Sequence, residues 1–128
     1  MRRLNILLAA LVMGSAAAGC AHRTGNEDGS AQPEAAAATV DVSNSYALAM
    51  DVFAVSNGTT TRLGAVSPGT HGIFVIEPSL LRTGFIQIVA QPLGGGPVAS
   101  TGSLALRPGE VLQFEIGSNP RFSTTTIR

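Results

Sequence analysis

Residues Tyr46 to Val66 read YALAMDVFAVSNGTTTRLGAV, and this stretch decides the fold. Successive side chains of an extended strand point to opposite faces. Leu48, Met50 and Val52 therefore fall on one face and Asp51, Phe53 and Val55 on the other. Apolar residues on both faces indicate either a central strand or a bulge. Asn57-Gly58 comes next, and both residues accept the positive φ that a two-residue type I′ turn requires. Thr60 to Val66 is the return strand, with Leu63 and Ala65 inward and Arg62 outward. The stretch is a predicted β-hairpin.

The same period continues on both sides. Upstream, Val40 and Val42 alternate with Asp41 and Ser43 as a short first strand. Downstream, Ser67-Pro68-Gly69 turns the chain into the mostly apolar HGIFVIE, His71 to Glu77, which Pro78 ends because proline cannot donate to a ladder. Ser79 to Gly84 is a polar crossover with room for one helical turn at Leu80 and Leu81. Phe85 to Gln91 sets Ile86, Ile88 and Ala90 against Gln87 and Gln91. A loop at Gly94, Gly95, Gly96 and Pro97 leads to a strand over Val98 to Leu106, and the Pro108-Gly109 turn leads to Val111 to Ile116, with Leu112, Phe114 and Ile116 inward. SNPRFSTTTIR, Ser118 to Arg128, is a tail or an edge strand at Phe122 to Ile127. Turn signals between about seven short strands predict an all-β fold, an antiparallel β-sandwich of immunoglobulin-like or transthyretin-like type over residues 39–117.

Upstream of the first strand, AHRTGNEDGSAQPEAAAA, Ala21 to Ala38, contains no Val, Ile, Leu or aromatic residue. Such a segment cannot bury enough apolar surface to offset the cost of ordering, so residues 20–38 are expected to form a flexible tether. A random coil of that length spans roughly 23 Å. Before it stands MRRLNILLAALVMGSAAAGC, Met1 to Cys20: two arginines, an apolar run from Leu4 to Met13, small residues, then the chain's single cysteine. This is the layout of an export signal. Ala17-Ala18-Gly19-Cys20 resembles the lipobox of bacterial lipoproteins, with Ala17 where that pattern usually has Leu. The resemblance implies a signal peptide over 1–19, lipid on the Cys20 thiol and, with Ala21 rather than Asp beside it, delivery to the outer membrane. Cleavage after Ala18 at a small-x-small site is the alternative, and would give a soluble secreted or periplasmic domain. A retained transmembrane anchor needs about 20 apolar residues, and Leu4 to Ala18 supplies 15 positions with Asn5 among them. A lone cysteine also excludes a disulfide framework within the monomer, and lipidation explains its position.

Charge narrows the functional classes. All eight basic residues are Arg, against eight Asp and Glu. Removal of the leader takes Arg2 and Arg3 and leaves the chain slightly acidic, which argues against nucleic acid as a partner and against a polybasic lipid patch. The partners expected are the membrane, through Cys20, and another envelope protein.

No motif for catalysis, metal or cofactor stands out. His71 is the single histidine of the domain, and a triad would need it beside a serine and an acid such as Asp51. No Gly-x-Ser-x-Gly elbow accompanies it. The acids Asp41, Asp51, Glu77, Glu110 and Glu115 are spread singly, which suits neither calcium nor zinc. Gly94 to Gly96 runs into Pro97 and a strand rather than a helix, unlike a phosphate-binding loop. With no Trp and one Tyr, the chain offers little aromatic platform for carbohydrate. The domain is similar to small envelope β-sandwich lipoproteins without assigned activity, and its Pro68-Gly69 and Pro108-Gly109 turns resemble those of carboxypeptidase-regulatory or transthyretin-like sandwiches. The expectation is a non-enzymatic, lipid-anchored structural or interaction protein without cofactor. Carriage of a small apolar ligand between the sheets is the alternative.

Overall fold

Alternation of small and branched apolar residues with polar ones turns Ala38–Asn44 into β1, in which Ala38, Val40, Val42 and Asn44 are all buried. The computed structural model describes residues 36–128. The leader, Cys20 and most of the segment read as a tether lie outside those residues. Ala38, the last residue of that segment, is already the first residue of β1.

β2, Met50–Ser56, repeats the pattern with Met50, Val52, Ala54 and Ser56 inward. The hairpin continues through Asn57 (φ 49°) and Gly58 (φ 75°) into β3, Thr59–Val66. β4, Thr70–Ile76, follows the Pro68-Gly69 turn, and a 3-10 turn at Pro78–Leu81 supplies the expected helical turn, with Leu81 buried. The remaining strands are β5, Gln87–Pro92, β6, Ala99–Ser100, β7, Val111–Ile116, and β8, Thr124–Ile127. They form two four-stranded sheets, ordered β4-β1-β7-β8 and β3-β2-β5-β6. The inward residues of both sheets make one hydrophobic core, centred on Val40, Val42, Phe114, Met50, Val52 and Ile88. Each fully buried side chain of this kind contributes roughly 1.5–3 kcal/mol relative to an exposed position. The fold is a β-sandwich.

Several details differ from the sequence reading, each for a local reason. Among the described residues there are eight strands, the eighth being the edge strand offered for the C-terminal segment, formed over Thr124–Ile127 against β7. The pairing is antiparallel except between β1 and β7, which run parallel from Thr39↔Val111 to Asn44↔Ile116. Tyr46 to Ala49 does not belong to β2. Asn44 Oδ1 accepts from Tyr46 N at 2.9 Å and Asn44 Nδ2 donates to the Leu48 carbonyl at 2.9 Å, which clamps those residues into a bend. β2 is both central and opposite a bulge: Val52 pairs with Gly64 but Phe53 with Arg62, so Leu63 is an extra residue in β3. The insertion reverses the alternation. Leu63 still packs on the core, while Ala65, expected inward, is exposed.

The predicted strand over Val98 to Leu106 is reduced to β6 and one isolated bridge, Ile86↔Leu104. Thr101 Oγ1 accepts the Ile88 N–H at 3.0 Å in place of a backbone carbonyl, and Gly102 turns the chain at φ 69°. Both interrupt the ladder.

Candidate functional site

Outward-facing residues of the β4-β1-β7-β8 sheet fall into cross-strand rows set by the register. His71, Ser43, Glu115 and Thr124 form one row, Ile73, Asp41, Gln113 and Thr126 the next, and Val75, Thr39, Val111 and Arg128 the third. Across the first two rows, Asp41, Ser43, His71, Gln113 and Glu115 line a shallow, open depression of about 230 Å³.

This arrangement brings together residues that the sequence does not show as neighbours. A serine lies between a histidine and a carboxylate, yet no hydrogen bond joins the three side chains. The bond made by the Glu115 carboxylate is with Thr124 Oγ1, at 3.3 Å. Nucleophilic catalysis requires the base to hold the serine proton and the acid to hold the base, and neither link is present. Among the described residues, no three His, Cys, Asp or Glu side chains converge closely enough to hold a metal ion.

The other expected residues take structural positions. Asp51 belongs to the outer face of the opposite sheet, where it accepts from Arg62 Nη2 at 2.6 Å, so it is not a partner for His71. Glu110 Oε2 accepts from Arg107 N at 2.7 Å and closes the Pro108-Gly109 turn. Gly94, Gly95 and Gly96, all at positive φ, make a loop between β5 and β6 and lead into no helix. Tyr46 is half-buried against the core. Two further open depressions lie on the surface. One, of about 260 Å³, is lined by Phe53, Val55, Thr60, Val89 and Gln91 on the outer face of the β2 sheet. The other, about 310 Å³, lies beside Val55, Phe85 and Gln87.

The more unusual surface is β4 itself. It is an edge strand, paired with β1 on one side, and within the described residues no strand pairs with its other side. Gly72, Phe74 and Ile76 point toward the core, while Ile73 and Val75 are each 64 % exposed. Sequence reasoning identified HGIFVIE as a strand but not which of its two apolar faces the rest of the chain covers. Its period-two set His71, Ile73, Val75 was the signal, and only the strand order resolves it.

No protein-family model matches the chain, and no curated protein matches it. Among solved structures, the NMR structure of a protein from Eubacterium rectale is similar, with a TM-score of 0.49 and 11 % sequence identity over 76 % of this chain and 93 % of that one. Among the described residues, no helix is long and apolar enough to cross a membrane.

Proposed function

We propose that this chain is a lipid-anchored β-sandwich of the bacterial cell envelope, a structural or protein-interaction module without catalytic activity, held through Cys20 at the outer membrane. The β4 edge carries the reading: an apolar strand presents exposed Ile73 and Val75 beside a backbone edge that no strand among the described residues pairs, which is a template for strand addition. The lipobox-like Ala17-Ala18-Gly19-Cys20 supports the anchor. The scattered acids, of which Asp51, Glu110 and Glu115 bond within the chain, together with the unlinked Ser43, His71 and Glu115, favour a binding role over chemistry.

Intact mass of the membrane-extracted protein tests the anchor, with Cys20→Ser as the comparison. A mature chain that begins at Cys20 and is heavier by lipid, with the variant lost from the membrane fraction, is the expected result. An unmodified chain beginning at Gly19 would overturn the anchor and leave a free secreted domain.

A further inference from the structure

The four edges of the two sheets are not equally protected. β3 carries the bulge at Leu63 and the charged Arg62. β6 is two residues long, and β8 is four, three of them threonine. Short strands, bulges and charges are the usual devices that block edge-to-edge pairing. β4 has none of them: its seven residues, THGIFVI, include no Asp, Glu, Lys, Arg or Pro, and its register with β1 is unbroken from Asn44↔Thr70 to Ala38↔Ile76.

We propose that β4 pairs antiparallel with β4 of a second copy of this chain, so that two β4-β1-β7-β8 sheets become one continuous sheet across a twofold axis. Centred on Ile73, such a pairing sets Ile73 opposite its symmetry mate and His71 opposite Val75, and it opposes no like charges. Pro68 and Pro78 bound the usable ladder, so a strand of the same length matches it and both prolines stay outside. The proposal rests on the lipid-anchored reading in one respect. A twofold axis between antiparallel neighbours stands perpendicular to the sheet, which leaves both β1 starts equally far from any plane normal to that axis. Two tethers can then reach one bilayer, and confinement there raises the effective concentration of a small interface.

The test uses the full-length protein in membranes. With Cys20 acylated, Ile73→Cys introduces the one free thiol, and Thr126→Cys on β8 is the exposed control. Directly opposed antiparallel positions hold their Cβ atoms about 5 Å apart, so oxidation is expected to give roughly tenfold more disulfide-linked homodimer from Ile73→Cys than from the control. Addition of Val75→Lys to Ile73→Cys is expected to abolish that product without loss of protein. Equal cross-linking at both positions, or none at Ile73→Cys, overturns the proposal. A cross-link from Ile73→Cys to a different protein also overturns it, while sustaining an interaction role. Failure of the anchor is read separately, as wild-type protein outside the membrane fraction and without lipid mass, and the same cross-link is then scored on the concentrated soluble protein with Cys20→Ser added, so that the introduced thiol is again the one available.

Discussion

Asn44 Nδ2 donates to the carbonyl oxygen of Val66 at 3.0 Å, joining the end of β1 in one sheet to the end of β3 in the other. Asn44 is 1 % exposed, and its amide also donates to Leu48 O and accepts from Tyr46 N, so its main hydrogen-bonding capacity is used. The residue is a polar rivet in a mostly apolar interior, which it shares with buried Ser56. Asn44→Ala leaves buried carbonyls without that donor and is expected to cost about 2–3 kcal/mol. Asn44→Asp keeps the acceptor for Tyr46 but loses both donors, and is expected to be no better than alanine. Urea unfolding of the two variants checks this, and unchanged midpoints would remove the rivet.

Phe74 closes the β3–β4 side of the core by lying over glycine. A Cβ at Gly64 would stand 2.6 Å from Phe74 Cε1, and one at Gly72 would stand 3.0 Å from Phe74 Cζ. Gly64→Ala must therefore displace the ring, at an expected cost of about 1–3 kcal/mol. Phe74→Leu in the same chain should recover part of that loss. A double-mutant cycle with additive effects would show that the ring and the glycine do not meet.

The β2–β3 turn tests conformation apart from packing. A Cβ at Gly58 would touch nothing, yet φ is 75°. Gly58→Ala is expected to destabilise by about 1 kcal/mol through backbone strain alone. Asn57→Gly is expected to be near neutral by comparison. Thermal melts of the two variants distinguish them.

The Asp51–Arg62 pair is close but superficial, with the arginine side chain 56 % exposed. Exposed pairs of this kind are worth about 0.2–1 kcal/mol. Arg62→Ala should fall within that range, and added salt should shrink the difference from wild type. A loss well above it would mean that Arg62 supports the bulge at Leu63 in some further way.

How much of this was legible in the sequence depends on the range of the interactions involved. Val40 and Val42, Ile86, Ile88 and Ala90, and Leu112, Phe114 and Ile116 alternate with polar neighbours, and all are buried. Asn57-Gly58 turns as its residue types require. Ala65 was misplaced because one inserted residue, Leu63, reverses a period-two pattern, and nothing in TTTRLGAV marks the insertion. The bend at Tyr46 to Ala49 depends on what the Asn44 side chain bonds, and strand propensity outweighed it in the reading. The parallel β1–β7 pair, the free side of β4 and the row His71, Ser43, Glu115 arise from contacts between distant segments. Local alternation carries no information about which strands become neighbours.

The position of β1 between β4 and β7 also bears on how the chain folds. β1 is the first strand among the described residues, yet one neighbour arrives only after the β2–β3 hairpin and the other only after β6. Loops that long are slow to close, so the hairpin can form early while β1 waits unpaired. A ribosome or an export channel that releases the chain from its N-terminus leaves that strand waiting longest, its backbone open to other chains until β7 emerges. Refolding of this domain is therefore expected to be limited by the closure of β1 onto β7 rather than by any turn.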